Sequence, residues 1–373
     1  MSHSHRIIPC HSCKSYYLTT PNIMRIHQLI QKPTSLRVTV PIVLFILCFF
    51  SFEVYALLLQ RFEGNEKLPP LSGNFMHVRE VLTQEKPMEA FRFAVFGDTK
   101  STGTFEKIAD ELKEESLSFA VFLGDFVRRG TEGEHAYFKA ELAREIAFPF
   151  PTFFLAGNHD SDTNNFPISR FEEVYGPSIF SFTYQECLFV FLRILDKPYS
   201  TKESLLFLEK LISEDASSRH RMIFVFSHIP PPVSSVIDAR EFEGSEEFVS
   251  LVEKLHADYV ITGDYHGYAR VKKGNTVYLV TGGGGAHLKK NKYGCFHHAM
   301  VIDVSEDKVV ENILFINRNE DLEDRIERFI LADLYPWMKG HFVIIIFSNI
   351  ILITIVVWLG VSIRRSIQQT LLS

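Results

Sequence analysis

The sequence predicts an α/β domain carried between two apolar helices. Between residues 91 and 263, apolar runs of strand length alternate with amphipathic stretches, an order typical of a largely parallel, buried sheet with helices on its faces. The later segments TVYLVTG, HHAMVIDV and VVENILFI have a hairpin-like pattern and suggest a mixed second sheet. The chain of 373 residues is also 46% hydrophobic with 34 phenylalanines, a richness that directs attention to membrane segments.

Each element of the domain follows from its residue pattern. The predicted strands are FRFAVFG (91–97), SFAVFLG (118–124), PTFFLAG (151–157), FVFLRIL (189–195), MIFVFSH (222–228) and DYVITG (258–263). The predicted helices are 102–116, 132–147, about 201–213 and about 245–256. In the first of these helices, the spacing of Phe105, Ile108, Ala109 and Leu112 places apolar side chains on one helical face.

Two segments are apolar enough to cross a membrane, which takes about 20 residues. Residues 342–361 carry no charge and are followed by Arg364 and Arg365, so they predict a transmembrane helix. Residues 38–59 contain one acid, Glu53, which is costly in lipid but tolerable near an end or against the other helix. A signal anchor or a signal peptide is the alternative for this first segment, and the lack of an A-x-A-like cleavage site favours a retained helix.

Basic residues at the outer ends of both segments predict the orientation. The first segment is preceded by Arg6, Lys14, Arg25, Lys32 and Arg37 without any acid, whereas the inner flanks are mixed or acidic. By the positive-inside rule, both tails of this two-pass integral membrane protein are expected in the cytoplasm and the domain in the periplasm or a lumen.

The predicted organisation follows from these segments. It is a cytoplasmic tail (1–37), a transmembrane helix (38–59), a linker (60–90), the α/β domain (91–317), a juxtamembrane amphipathic segment (318–341), a transmembrane helix (342–361) and a cytoplasmic tail (362–373). Tyr335 and Trp337 stand where an interfacial aromatic belt would hold the domain against the membrane.

Charge and cysteines narrow the function classes. The net charge of −6, without a basic stripe, argues against nucleic-acid binding. Cys10 and Cys13 form a C-x-x-C that could bind zinc, but we favour a disordered tail or an extension upstream of a start at Met24. Whether Cys187 and Cys295 pair is left open by the sequence.

Polar residues follow five predicted strands at the point where each strand ends. They stand in Gly97-Asp98, Gly124-Asp125, Gly157-Asn158-His159-Asp160, Ser227-His228 and Gly263-Asp264-Tyr265-His266. Because ligands bind at the carboxyl ends of strands in α/β sheets, we expect these residues on one rim. A single Gly-Asp is an ordinary turn, but five such ends at one rim favour a site. Carboxylates, imidazoles and an amide oxygen suit Mn, Fe or Zn, and one shared Asp could bridge two ions about 3.5–4 Å apart.

The motifs GDTK, GDFVRRG, GNHD, SHIPP and GDYHGY, in this order, resemble the calcineurin-like metallophosphoesterase family. That family has the order D-x-H, G-D, G-N-H-D/E, a lone His after a strand, and G-H-x-H. The resemblance covers roughly residues 91–317. It implies a four-layer α/β/β/α sandwich of the metallo-dependent phosphatase type and two bound divalent metal ions.

The resemblance implies a role for each matching residue. Asp98 and His266 would bind the first metal, Asp125 would bridge, and Asn158 and His228 would bind the second. His159 would stabilise the transition state or protonate the leaving oxygen, and Asp160 would orient His159.

Two positions depart from the family pattern. Lys100 stands where D-x-H has a histidine, and Asp264 where G-H-x-H has its first histidine. Asp264 can still bind the second metal as a carboxylate. An ammonium cannot bind a cation, so Lys100 either contacts the substrate phosphate, which we favour, or weakens the first metal site.

The expected function is therefore that of a membrane-anchored phosphoesterase that cleaves a phosphomonoester or phosphodiester with a metal-activated water. A lipid-linked ester is one option for the substrate. The alternative is a catalytically degenerate domain that acts as a binding or scaffold protein in the membrane.

Three smaller signals have two interpretations each. Arg128 and Arg129 could bind a phosphate or an anionic head group, or be solvated loop charges. The run Gly282–Gly285 resembles a phosphate-binding loop, but a tight turn at the rim is favoured. His297 and His298 could extend the site, although a strand start is the safer interpretation.

Overall fold

Two sheets form the centre of the folded domain in the computed structural model. The structure describes residues 36–63, 66–100, 103–235, 237, 242–288, 294–306, 308–317 and 322–372. The predictions for Cys10, Cys13 and Met24 lie outside the described residues. In the part of the chain that the structure describes, Cys48, Cys187 and Cys295 are free cysteines.

The strands divide between the two sheets. They are β1 (Ala90–Phe96), β2 (Phe119–Phe122), β3 (Thr152–Phe154), β4 (Phe180–Tyr184), β5 (Cys187–Phe191), β6 (Met222–Ser227), β7 (Tyr259–Thr262), β8 (Tyr268–Lys273), β9 (Thr276–Thr281), β10 (His298–Ser305) and β11 (Val309–Phe315). The first sheet has the order β11-β10-β1-β2-β3 and the second has the order β4-β5-β6-β7-β9-β8.

Both sheets are mixed, with a parallel centre and antiparallel edges. In the first sheet β1, β2 and β3 are parallel, while β10 and β11 add antiparallel strands beside β1. In the second sheet β5, β6, β7 and β9 are parallel, and β4 and β8 are antiparallel edges. The three closing segments therefore do not form a second sheet together: TVYLVTG joins the second sheet as β9, and the other two return to the first sheet.

The helices of the domain are Met76–Thr83, Gly103–Lys113, Glu132–Glu141, Ile168–Tyr175, Lys202–Ser213, Ala216–Arg219 and Ser245–Lys254, with a π-helical turn at Leu142–Ile146. Helix Met76–Thr83 places Val78 and Leu82 in the core between the sheets, whereas the longer helices cover the outer faces. Helices 103–113, 132–141 and 168–175 pack on the first sheet, and helices 202–213 and 245–254 pack on the second. The predicted four-layer α/β/β/α arrangement is confirmed.

Alternating side chains of β1 show why both faces of a strand are apolar. Phe93 and Val95 point into the core between the sheets, whereas Ala94 and Phe96 point into the core beneath the helices. Phe93 is fully buried, stacks on Phe119 at 5.0 Å between ring centroids, and meets Phe224 of the other sheet edge-on at 5.3 Å. Successive side chains of a strand point to opposite faces of the sheet. When both faces are covered, all of them are apolar, which explains the continuous apolar run in the sequence.

Two predicted boundaries differ from the structure. The predicted strand 189–195 begins earlier, as β5, and ends at Phe191; Leu192 N–H still donates to the Phe226 carbonyl of β6, and Leu192 and Ile194 pack in the core beneath helix 202–213. The predicted helix 132–147 is α-helical only to Glu141. It then widens into a π turn, because Ala147 N–H donates to the Leu142 carbonyl five residues back.

The predicted amphipathic segment after the domain is helical in three pieces. These are Leu322–Arg328, a π turn at Phe329–Leu334, and Tyr335–Gly340. The segment lies against helix 132–141 at Gly133, where a Cβ would come within 3.0 Å of the Ala332 carbonyl. Ile330 and Ala332 are buried there, and Trp337 is exposed.

The two long helices form a separate unit. Helix Leu36–Glu63 contains an apolar stretch of 20 residues, Thr39–Leu58, and helix Phe342–Leu372 contains one of 24 residues, Phe342–Arg365. Both are long and apolar enough to cross a membrane. Glu53 is buried in this unit and accepts a hydrogen bond of 3.0 Å from Asn349 Nδ2. The acid in the first segment therefore faces the other helix.

This polar contact predicts where the helices can be cross-linked. Cysteines introduced together as Glu53→Cys and Asn349→Cys should form an intramolecular disulfide under mild oxidation, because the two side chains are in direct contact. The matched control is Val54→Cys with Ile350→Cys, one residue further on each helix, where both side chains are exposed. Non-reducing electrophoresis reads the result. Equal cross-linking of both pairs would contradict the helix contact.

Candidate metal centre

The loops that follow β1, β2 and β7 hold their acids in an unusual backbone conformation. Asp98, Lys100, Asp125 and Asp264 have φ values of 58°, 49°, 56° and 60°. Left-handed φ values are uncommon for residues with a side chain and concentrate at functional sites. Backbone bonds hold this conformation: Asp98 N–H donates to the Gly124 carbonyl, and Lys100 N–H donates to the Asp125 carbonyl. The first two loops therefore fix each other.

Asp98 is a fully buried carboxylate without a hydrogen-bond donor. Neither of its oxygens has a partner of normal hydrogen-bond geometry among the described residues. His266 Nε2 lies 3.4 Å from Asp98 Oδ1. Burial raises the pKa of Asp98, although the imidazoles of His266 and His228 act in the opposite direction. An ionised carboxylate here costs several kcal/mol unless a positive group compensates it.

Asp125 lies at the middle of the site. Its Oδ1 accepts the His159 backbone N–H at 2.9 Å and lies 3.3 Å from His228 Nε2. Its Oδ2 lies 3.2 Å from Lys100 Nζ and 3.9 Å from His159 Nε2. Burial alone would raise the pKa of Asp125, but the charges of His228, Lys100 and His159 outweigh burial and lower it.

His228 presents one ring nitrogen to three oxygens. Its Nδ1 lies 2.7 Å from the Leu123 carbonyl, which can only accept, so Nδ1 carries a proton. Its Nε2 faces Asn158 Oδ1 at 3.0 Å, Asp125 Oδ1 at 3.3 Å and Asp264 Oδ1 at 3.8 Å. When the imidazole is neutral, Nε2 carries a lone pair that faces the lone pairs of these oxygens. This arrangement requires either an added proton or a cation.

The charge around His228 is strongly negative. Burial alone would lower the pKa of His228, but the carboxylates of Asp125, Asp98 and Asp264 raise it. His266 repeats the same geometry on the other side of the site: its Nδ1 lies 2.9 Å from the His287 carbonyl, which leaves Nε2 towards Asp98. A carbonyl that fixes one ring nitrogen and leaves the other for a cation is a common support of metal-binding histidines.

His159 and Asp160 lie beside this cluster with different partners from those expected. His159 Nδ1 donates to the Arg128 carbonyl at 2.7 Å, and its ring is 41% exposed. The Asp160 carboxylate accepts the backbone N–H groups of Asp125 at 2.6 Å, Gly157 at 2.8 Å and Val127 at 3.1 Å. The role predicted for Asp160 therefore needs correction, since Arg128 orients the ring and Asp160 holds the backbone of both loops.

Asp160 is itself in an electrostatically costly position. Burial, and then the charge of Asp125, raises the pKa of Asp160 to about 7, against the lowering effect of its backbone donors. His135 supports the Asp160 backbone: its Nε2 lies 3.0 Å from the Asp160 carbonyl, and burial lowers its pKa to about 3. Neutral His135 is thus part of the structural support beneath the loop.

Glycines let the loops approach the acids closely. A Cβ at Gly157 would lie 2.3 Å from Asp125 Oδ1, and a Cβ at Gly282 would lie 2.5 Å from Asp98 Oδ2. Gly284 N–H donates to the Gly97 carbonyl and Ala286 N–H to the Asp98 carbonyl. The run Gly282–Gly285 is therefore a tight turn that covers the first loop.

Sequence reasoning found the acids and histidines but missed their supports. The carbonyls of Leu123, His287 and Arg128 fix three of the histidines, and backbone groups leave no residue-type signal. His298, in contrast, begins β10 and contacts Thr281 and Phe296, which agrees with the strand-start interpretation.

The residues fit a metal ion. Asp98, Asp125 and His228 each offer a ligand atom, and these atoms lie within 4.8 Å of one another. The buried Asp98 oxygens, which have no donor among the described residues, and the Asp125 carboxylate lie beside an imidazole nitrogen with its lone pair inward, and such groups match what Mn, Fe or Zn accept.

The sequence of this site matches a known family. Residues 91–268 fit the family model of calcineurin-like phosphoesterases. The chain contains a calcineurin-like phosphoesterase domain. No curated protein matches the chain.

The chain is similar to several solved structures, three of which follow. One is GAP50, "the anchor in the inner membrane complex of Plasmodium", with 16% identity over 66% of this chain and 95% of that one and a TM-score of 0.48. The second is purple acid phosphatase PPD1 of yellow lupin (Lupinus luteus), with 17% identity, coverage of 63% and 55%, and a TM-score of 0.46. The third is a dimetal phosphatase of Danio rerio, with 14% identity, coverage of 60% and 96%, and a TM-score of 0.47.

The close approach at Gly282 gives a prediction for the phosphoesterase domain. Gly282→Ala should displace the Asp98 carboxylate, because the new methyl group would lie 2.5 Å from its Oδ2, and should lower bound Mn by about 10-fold or more in affinity. Gly340→Ala is the control, since nothing lies within 4 Å of a Cβ there. Metal analysis of the purified full chain after dialysis against Mn measures both. Unchanged metal content in Gly282→Ala would contradict the assigned contact.

Proposed function

We propose that this protein is a membrane-anchored, metal-dependent phosphoesterase. The observation that carries the proposal is the buried set of Asp98, Asp125 and His228, whose inward atoms are all acceptors or lone pairs. The match of residues 91–268 to calcineurin-like phosphoesterases supports the reaction class.

The proposed ligands divide into two groups that share Asp125. Asp98 and His266, with Asp125, would hold the first of two divalent ions (Mn, Fe or Zn). The second group consists of Asp125, Asn158, His228 and Asp264. The side-chain oxygens of the other three residues lie within 3.8 Å of His228 Nε2. When bound, such ions neutralise phosphoryl oxygens and lower the pKa of a water.

His159 is the proposed acid and transition-state residue. Its Nδ1 proton is fixed on the Arg128 carbonyl, and the partly exposed ring places Nε2 3.9 Å from Asp125 Oδ2. A protonated Nε2 at this place can donate to the leaving oxygen of an ester. Asp160 acts as a positioning residue, because it fixes the backbone of Asp125 and of the loop that carries His159.

The two departures from the family pattern balance each other in charge. Lys100 adds one positive charge where the family has a neutral histidine, and Asp264 adds one negative charge where it has another. The formal charge of the whole centre is therefore unchanged. The Lys100 ammonium, 3.2 Å from Asp125 Oδ2 and 12% exposed, would act as a point charge on the substrate phosphate.

The membrane anchor is supported by the two long apolar helices. The basic outer flanks support cytoplasmic tails and a periplasmic or lumenal catalytic domain. An anchored enzyme meets esters at the membrane surface, which makes a lipid-linked phosphomonoester or phosphodiester an attractive substrate.

One observation favours a second candidate, a non-catalytic binding or scaffold protein. Lys100 Nζ contacts an Asp125 oxygen that the first ion would use. A lysine that stays there would leave at most the second group of ligands for a metal.

The test of function compares Asp125→Ala with Asp110→Ala, an exposed acid of helix 103–113. Asp125→Ala should lose bound metal and should also lose hydrolysis of bis(p-nitrophenyl) phosphate or p-nitrophenyl phosphate. We expect its kcat/KM to fall by at least about 100-fold. Asp110→Ala should match the wild type. The two esters also separate diesterase from monoesterase activity.

The same assay decides between the two candidates. Wild-type chain that takes up no Mn, Fe or Zn and cleaves neither ester would contradict the enzyme proposal and support the scaffold candidate.

The charge balance gives a separate prediction. Lys100→His and Asp264→His should each lower kcat/KM by about 10-fold, because each shifts the charge of the centre by one. The double variant should regain most of the activity, since it restores the balance. Hydrolysis at saturating Mn measures all four proteins. A double variant as weak as the product of the two single effects would contradict the compensation.

A further inference from the structure

An arginine cluster lies next to the proposed acid. We use this name for Arg128, Arg325 and Arg328. The backbone carbonyl of Arg128 accepts the hydrogen bond of His159 Nδ1, so the backbone of the residue that carries the first guanidinium touches that ring. The exposed Arg128 side chain belongs to the loop after β2, and the other two arginines belong to helix Leu322–Arg328.

Arg129, the next residue of this loop, has a structural role, because its charge is paired with acids. Arg129 Nε lies 3.1 Å from Glu134 Oε1, and Arg129 also pairs with Asp333. Glu134 Oε2 is already used by the backbone N–H groups of Arg128 and Arg129. The charges of this loop and of the packed segment are thus matched at Arg129.

Arg128 and Arg328 lack such matches. Among the described residues, the Arg128 guanidinium makes no hydrogen bond or ion pair, and Arg328 Nη1 is buried without a hydrogen-bond partner. Burial, followed by the positive charge of Arg328, lowers the pKa of Arg128; Glu134 opposes this shift and Arg325 adds to it. The ion pair of Arg129 with Asp333 joins this loop to the segment that carries Arg328, so the guanidinium groups of Arg128 and Arg328 lie on packed elements with donors unused.

An anion would relieve this arrangement. A buried guanidinium donor without an acceptor is costly, and like charges held close together add to the cost. The planar guanidinium fork matches phosphate oxygens in pairs, more closely than a lysine does. If these arginines were only solvated loop charges, Arg328 Nη1 would be expected in water, whereas it is buried without an acceptor.

We propose that Arg128 and Arg328, with Arg325, bind a second phosphate of the substrate, beside the ester that is cleaved. This inference rests on the proposed function and narrows it to phosphoesters that carry another phosphate group. The ligand could be a soluble compound or the head group of a phosphorylated lipid. The segment that carries Arg325 and Arg328 ends shortly before the apolar helix at Phe342 in the sequence.

The first arm measures anion binding without metal. Full-length protein in neutral detergent with EDTA is titrated with inorganic pyrophosphate by calorimetry. Arg128→Gln and Arg328→Gln should each weaken binding by about 10-fold, the loss expected for one charged phosphate contact. The control is Arg219→Gln, which should bind pyrophosphate as the wild type does. Arg219 is exposed and precedes the first residue of β6, whereas His228 follows the last residue of this strand. Because Arg328 is partly buried, thermal melting checks its fold, and the exposed Arg128 stands as the independent test.

The second arm uses two esters that differ in one group. Thymidine 5′-(p-nitrophenyl phosphate) is compared with the same ester carrying a 3′-phosphate. The wild type and Arg219→Gln should prefer the 3′-phosphorylated ester in kcat/KM by about 10-fold, and Arg128→Gln should lose this preference.

The third arm separates the sources of the phosphate. Full-length protein is reconstituted in phosphatidylcholine vesicles with or without 5% phosphatidylinositol 4-phosphate, and hydrolysis of the unphosphorylated thymidine ester is followed. Inhibition by the lipid that is weaker in Arg128→Gln identifies a lipid head group. Arginine-dependent binding of pyrophosphate without inhibition by the lipid identifies a soluble ligand.

The outcomes distinguish this inference from the proposed function. Equal pyrophosphate affinity of Arg128→Gln and wild type overturns the inference, even where ester hydrolysis shows an active enzyme. Arginine-dependent binding in EDTA supports the cluster as an anion site, even where the metal and hydrolysis tests fail and the chain is not an enzyme.

Discussion

The uncompensated negative charge at the meeting of the two sheets is the constraint on which the site depends. Asp98 and Asp125 are buried, and His228 Nε2 and Asn158 Oδ1 add lone pairs rather than donors. Burying a carboxylate without a donor costs several kcal/mol, so this arrangement requires added protons or cations. Lys100 supplies one positive charge, on Asp125, and Asp98 has no donor of normal geometry in the part of the chain that the structure describes.

The rest of the domain serves to hold these atoms together. Parallel strands of two sheets end at the same place, and glycines with short contacts let the loops come close enough. The Asp160 carboxylate ties the backbones of the two central loops, while carbonyls fix the tautomers of His228 and His266. Each support constrains a ligand without occupying the site, which is how outer-shell groups tune metal centres.

Much of this could be predicted from the sequence, for physical reasons. A polar residue after an apolar run marks the end of a buried strand, so Asp98, Asp125 and His228 were visible as candidates. The sequence does not show which sheet each closing strand joins, because β9, β10 and β11 share one local pattern and the sheets are formed by long-range pairing. The partners of Asp160 are backbone amides, and the segment that carries Arg328 meets the loop of Arg128 through the ion pair of Asp333 with Arg129, about 200 positions away, so neither contact leaves a local signal.

The central claim is that Asp98, Asp125 and His228 are arranged for cations. The most direct measurement is anomalous diffraction at the manganese edge from crystals of the full chain grown with Mn. We expect two peaks about 3.5–4 Å apart, one beside Asp98 and His266, the other beside Asn158 and His228, with Asp125 between them. A map without a peak at this site, with Lys100 still on Asp125, would contradict the account.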